Sequence, residues 1–272
     1  MTERRARRVD DRATDFQRTY DASFSWKTAV ASILCTGGLR GCWPMSAFNA
    51  SGDARDVSGN VQTLSESGDC LYGIDGLAPY VQFDGTADYL SRADESSLSI
   101  TGTELYVAVA WRGLSMGCWV YPQEIGAEQA VIGKWNENTV DQRSYLIDLT
   151  ATNFFRARIS QNGTAATINT VTSTVAVTAD TWYFVSMAFD PSARLAINVN
   201  GTMTETVAGI QADVDDNASA FVVGARDNGA AVPLEGRVSL AWLCAMYHED
   251  ATTPTDHVSQ ALYHHTRALY GR

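Results

Sequence analysis

Charge, paired cysteine and long apolar runs are what this sequence has little of. Only 19% of its 272 residues are charged, and acidic residues outnumber basic ones 31 to 20, a formal net charge of −11. Such a balance repels phosphate backbones and anionic lipid, so no nucleic acid is expected as a partner. The five cysteines, Cys35, Cys42, Cys70, Cys118 and Cys244, are odd in number, far apart, and form no CxxC or Cys/His pair at zinc-ligand spacing. They are read as mostly buried thiols of a reducing compartment, with a Cys42–Cys70 disulfide as the alternative. The longest apolar stretches, such as Thr28 to Cys35, are far too short to cross a bilayer, so no membrane span is expected. The charged opening Met-Thr-Glu-Arg-Arg-Ala-Arg-Arg has no apolar segment behind it before Thr28, and no export signal is expected either.

What is present is core material. Apolar residues make up 45% of the chain and aromatics 10%, enough for one sizeable domain. From Leu39 onward, short runs rich in Val, Ile, Thr, Tyr, Phe and Trp recur between Gly, Asn, Asp and Ser clusters, the pattern of an all-β sandwich. Strands are expected at Tyr80–Phe83, Tyr89–Leu90, Leu114–Val120, Ala130–Lys134, Ser144–Leu149, Phe154–Ser160, Thr164–Val171, Trp182–Asp190, Ala220–Ala225 and Gly236–Met246. The plainest hairpin joins Arg194–Val199 to Thr202–Ala208 through Asn200-Gly201, the pair that supplies both positive-φ positions of a type I′ turn. Thr255 to Tyr270 reads as one C-terminal helix, capped by Thr255 or Asp256, with Val258, Ala261, Leu262 and Leu269 as its apolar stripe. His257, His264 and His265 fall on adjoining faces of that helix and, like His248, are expected to face water and not to hold a metal.

Residues 1–37 are a different kind of sequence. The first 18 residues carry six Arg against four acids, and little periodicity follows before Trp26, Ala29, Val30 and Ile33 fall at roughly helical spacing. The segment is read as an arm outside a domain of residues 38–272. A segment with little core of its own takes its order from a partner. The expected docking groups are Arg4, Arg5, Arg7, Arg8, Phe16, Tyr20, Phe24 and Trp26, because Arg and aromatic side chains combine large buried area with directed polar groups.

Six short motifs in order resemble the laminin-G-like, concanavalin A-like sandwiches found in secreted lectins, pentraxin-like domains and phage proteins. They are Gly38-Leu-Arg-Gly-Cys-Trp-Pro-Met45, Asp56-Val-Ser-Gly-Asn60, Val81 to Leu90, Met116-Gly-Cys-Trp-Val-Tyr-Pro122, Asp180-Thr-Trp-Tyr-Phe-Val185 with the Asn200-Gly201 hairpin, and Gly236-Arg-Val-Ser-Leu240. The resemblance implies a two-sheet jelly-roll sandwich with an extended N-terminal arm and a short C-terminal helix. No cofactor is required by it, but related sandwiches hold calcium in acidic turns, which here correspond to Asp56, Asn60, Asp84 and Asp88. The same side chains are also the ones that hydrogen-bond their own turn backbone.

Related glycosidases carry a Glu-x-Asp-x-x-Glu strand, and no Glu-x-Asp occurs anywhere in this chain, so no catalysis is expected. Glu124 and Glu128 are expected to face water in a Gly-containing loop. Related lectins bind sugar with an aromatic among polar side chains. The matching stretch is Lys134 to Asp141, with Trp135, Asn136, Asn138 and Asp141 as glycan-binding candidates; alternatively, Trp135 ends a strand and covers the core edge. With no export signal and a polar arm, the leading expectation is a non-catalytic virion protein of a bacteriophage, a capsid decoration, head-spike or tail-fibre component. It would bind other virion proteins through the arm, form a homo-oligomer and display the sandwich towards a host surface glycan. The alternative is a free, extracellular carbohydrate-binding module.

Overall fold

The computed structural model describes residues 38–46, 48, 51–101, 113–139, 141–245 and 258–272. The arm residues, Cys35, His248 and His257 lie outside them. Among the described residues the chain forms two antiparallel sheets packed face to face. One runs β13 (Thr202–Thr206), β12 (Arg194–Val199), β11 (Tyr183–Asp190), β6 (Leu114–Pro122), β15 (Glu235–Cys244), β4 (Ala78–Asp84), β3 (Leu71–Asp75), with β1 (Leu39–Trp43) pairing β15 beyond the end of β4. The other runs β10 (Ile168–Ala176), β9 (Phe154–Ser160), β8 (Gln142–Leu149), β7 (Gln129–Asn136), β14 (Phe221–Val223), β5 (Tyr89–Arg92), β2 (Ser65–Ser67).

Alternation decides which side chains fill the space between the sheets. Val185, Met187 and Phe189 of β11, Leu195, Ile197 and Val199 of β12, Tyr145, Ile147 and Leu149 of β8, and Phe155, Ala157 and Ile159 of β9 all enter one core. The strands of the first sheet are nonetheless apolar on both faces, because the outer face is covered as well. Trp119, Phe184, Leu240 and Trp242 pack there against Leu262 and Tyr270. The covering element is α1 (Val258–Thr266), which runs on into a 3₁₀ turn, Arg267–Tyr270.

Between Ser259 and Tyr270 the buried stripe is Ser259, Leu262 and Thr266, continued by Tyr270, so of Ala261, Leu262 and Leu269 only Leu262 is fully covered. Polar groups explain the shift. The Trp119 Nε1–H donates to Thr266 Oγ1 at 2.8 Å, the Tyr270 ring stacks on Trp119 at 4.0 Å, and Asn198 Nδ2 donates to Ser259 Oγ at 3.3 Å. The sheet beneath carries indole and amide groups that need hydroxyl partners, so the helix turns its hydroxyls inward. His264 and His265 are exposed.

Most expected strands are present within one or two residues. Asn200 and Gly201 both have positive φ, 52° and 84°, as the type I′ hairpin requires. Two strands went unforeseen, β2 and β3. The latter is an edge strand whose Leu71 and Ile74 face solvent, so it carries no alternation to read. The strand expected from Thr164 begins later, at Ile168. Asn162 Oδ1 gathers Thr164 N–H, Thr164 Oγ1 and Thr167 Oγ1 and folds Ala165–Thr167 into a 3₁₀ turn instead. Cys42, Cys70, Cys118 and Cys244 are all buried, as the thiol reading expects, and no disulfide joins Cys42 to Cys70. Burial pushes the Cys118 thiol well above its ordinary range.

Candidate binding face

The outer face of the second sheet is charged where the first is apolar. In β9, Phe155, Ala157 and Ile159 point into the core, which sends Arg156 and Arg158 outward. The neighbouring strand β8 places Asp148 directly opposite Arg156. Arg156 Nε lies 2.9 Å from Asp148 Oδ1 and Arg156 Nη2 2.6 Å from Oδ2, a two-pronged pair, and Arg158 Nη2 also binds Oδ2.

The lattice extends outward from Asp148. Glu128 Oε1 accepts from Arg156 at 2.8 Å and Arg158 at 3.2 Å, with Arg226 at 3.5 Å. Glu137 Oε1 meets Arg226 at 2.9 Å, Arg158 at 3.2 Å and the Trp135 Nε1–H at 2.9 Å. Burial works against the Glu137 carboxylate. The Trp135 N–H and the guanidiniums of Arg226, Arg158 and Arg143 nevertheless hold it below the ordinary range. For Arg156, burial is likewise outweighed, chiefly by Asp148, and its charge is held more firmly than usual.

Glu124 and Glu128 are exposed, as expected, but Glu128 does more than face water. It is the outer clasp of three guanidiniums, reached from β9 and from the segment after β14. Sequence reasoning passed over Arg156, Arg158 and Asp148, although Arg-x-Arg alternating with Phe, Ala and Ile in a strand is a readable sign of a charged outer face.

Trp135 is placed differently from a sugar-stacking aromatic. It is 1% exposed, packs on Ala130, Leu146 and Ile168, and has the Arg158 guanidinium over its ring at 4.8 Å. Asn136 is buried too, its Oδ1 accepting from the backbone N–H of Asn138 and Thr139 to fold the turn. Asn138 and Asp141 are exposed at the loop tip, Asp141 with φ of 57°. Its carbonyl lies where a side chain on Gly163 would be, 2.3 Å from an added Cβ, so position 163 needs glycine.

The four residues considered for calcium form two separate turns. Asp56 Oδ1 accepts from Cys42 N–H and Ser58 N–H, and Oδ2 from Ser58 Oγ and Gln62 N–H. Asn60 Nδ2 donates to the carbonyls of Leu39 and Arg40. Asp84 accepts from Thr86 N–H and Oγ1 and from Ala87 N–H, which hold its carboxyl below the ordinary range. Asp88 accepts from Asp69 N–H at 2.7 Å. Each carboxylate is engaged by backbone N–H groups, Asp84 within its own bend and Asp56 and Asp88 across to other segments, and among the described residues no three His, Cys, Asp or Glu side chains converge as a metal site.

Comparisons with known proteins agree with this architecture. No curated protein sequence matches the chain. Among solved structures, it is similar to the binding domain of Paraclostridial Mosquitocidal Protein 1, at a TM-score of 0.59 and 11% identity, over 83% of this chain and 52% of that one. It is similar to the botulinum neurotoxin serotype G binding domain, at 0.60 and 11%, over 84% and 51%. It is also similar to the botulinum neurotoxin DC binding domain solved in complex with SialylT, at 0.56 and 9%, over 86% and 52%. The chain thus spans about half the length of these structures, and at such identities the likeness is one of fold. A family profile described as the concanavalin A-like lectin/glucanases superfamily matches residues 84–242, more than half of the chain. With the two-sheet sandwich in place around that segment, the chain belongs to this laminin-G-type family of concanavalin A-like domains.

Proposed function

We propose that the chain is a non-catalytic recognition module, carried on a bacteriophage particle, whose charged sheet face binds a glycan. The observation that carries the reading is the ion-pair lattice of Glu128, Glu137, Asp148, Arg156, Arg158 and Arg226. Hydrolysis by paired carboxylates needs one carboxyl free to give a proton and one free to attack or activate water. Here each carboxylate on the face is shared between guanidiniums, an arrangement suited to holding a ligand still and poorly suited to proton transfer. Acceptor and donor groups alternate along the face, with side-chain exposure of 38% at Glu128, 29% at Glu137 and 22% at Arg156. Neighbouring sugar hydroxyls present the same alternation, and a lattice already fixed loses little freedom on binding. A domain of this fold with a bound SialylT is in keeping with the reading.

Placement on a particle rests on the charged arm, residues 1–37, as the docking segment. Two measurements test the two parts. The full chain should bind a panel of immobilised bacterial surface glycans and release no reducing ends from them, while Arg226→Ala should lose binding and keep its fold. Release of reducing ends, or unchanged binding by the variant, would end the recognition reading. The full chain should also sediment with phage particles and a chain starting at Gly38 should not; equal behaviour of the two returns the free extracellular module to first place.

A further inference from the structure

Lys134 is one of two lysines in the sequence, and it is fully buried. It lies opposite Tyr145 in the β7–β8 ladder, on the core side of β7. Its Nζ lies 3.1 Å from Asn217 Oδ1 and 3.1 Å from Asp94 Oδ1, and also contacts the Asn217 carbonyl. A buried ammonium is costly, and an apolar isostere would fill the same space more cheaply, so its placement against one particular amide points to a use for the amine.

The Asn217 side chain is set up as an acyl group. Residue 217 is 6% exposed, and its Oδ1 accepts from Ser219 N–H at 3.0 Å and from Ser219 Oγ in addition to Lys134. Donors converging on a carbonyl oxygen stabilise the negative charge that forms there when the carbon is attacked. On the other side, Asn217 Nδ2 donates to Asp215 Oδ2 at 2.8 Å and towards Ser144 Oγ at 3.4 Å. The amine, the amide, an oxygen cradle and a carboxyl beside each nitrogen are therefore in one place, drawn from β7, the loop after β5 and the loop before β14.

We infer that Lys134 and Asn217 form an intramolecular isopeptide bond. The neutral Nζ attacks Asn217 Cγ. As the Nζ–Cγ bond forms, one proton passes from Nζ to the Asp94 carboxylate, and the oxygen is held by the two Ser219 donors. As the Cγ–Nδ2 bond breaks, one proton reaches Nδ2 from a protonated Asp215, and ammonia leaves. Both carboxyls touch solvent and recover their starting states by proton exchange, so no oxidant or co-reactant is needed. Burial favours both starting states, since it lowers the Lys134 amine below its ordinary range against the pull of Asp94 and raises the Asp215 carboxyl. Holding the reactants in contact replaces an encounter in solution, the chief requirement of an uncatalysed amide exchange.

The test is intact-mass measurement of the denatured full-length chain, followed by peptide mapping. The expected result is a mass lower than that of the sequence by one ammonia, with a branched peptide joining residues 134 and 217. Lys134→Met and Asn217→Ala should each show their full sequence mass, and Asp94→Asn or Asp215→Asn should raise the unlinked fraction. Should the variants fail to fold, the wild-type mass still decides. Full sequence mass in the folded wild-type chain after prolonged incubation overturns the inference. So does loss of ammonia without the branched peptide, or loss of water with the branch at Asp94 or Asp215.

Discussion

Trp119 and Trp135 cap the two outer faces of the sandwich, each sealed by a side chain from elsewhere in the chain: Tyr270 stacks on the first and Arg158 on the second. Truncating either opens a cavity beneath its cover. Trp119→Ala is expected to cost roughly 3–5 kcal/mol, and Trp135→Ala on the order of 3 kcal/mol, by chemical denaturation. A Trp135→Ala chain as stable as wild type would mean that Arg158 closes the gap unaided. Trp119 was legible in the sequence because it sits in the apolar run Met116–Val120. For Trp135 the polar neighbours left two readings open, and the structure shows the one in which it ends a strand and covers the core edge, under a guanidinium from another strand. Asp56 shows the same limit. Its acidic turn was readable, but the reach of its carboxylate to Cys42 and Gln62 was not. Asp56→Ala strands these buried donors and should cost about 3 kcal/mol.

Among the elements, the Asn200-Gly201 hairpin was fully legible, since two positive-φ residues between alternating flanks leave one register. The C-terminal helix was legible in existence and position but not in phase. Apolar spacing pointed to Ala261 and Leu269, whereas hydrogen bonding to Trp119, Asn198 and Ser239 fixed Thr266, Ser259 and Tyr270 against the sheet. Removing residues 258–272 would uncover Trp119, Phe184 and Leu240 on the first sheet. Exposed apolar patches of that kind associate. The truncated chain is expected to bind a hydrophobic dye and aggregate below the melting point of the full chain, and a dye-silent, monomeric product would show that the sheet face is covered from elsewhere.

For the molecule as a whole, the ion-pair lattice ties stability to pH. The folded Glu137 carboxyl lies below its unfolded value, so its contribution is complete above about pH 4.3, the ordinary glutamate range, and is lost as pH falls through the folded value. Melting temperatures of wild type and Glu137→Gln should differ most near neutrality and converge in acid; parallel curves would remove Glu137 from the pH response. Deleting residues 1–37 should leave one cooperative unfolding transition, because every described strand of the two sheets lies after that segment; loss of cooperativity would make the arm part of the fold. The sandwich also has a mechanical character set by one pairing. β1 enters antiparallel to β15, and the Ala245 N–H donates to the Gly38 carbonyl at 2.7 Å, so the residue before β1 and the residue after β15 are neighbours. Tension applied between them opens the β1–β15 ladder one hydrogen bond at a time, like a zipper, instead of shearing all its bonds together. A particle that hung this domain from those two points would own a soft joint, one that yields by peeling Leu39–Trp43 while the two sheets behind it stay folded.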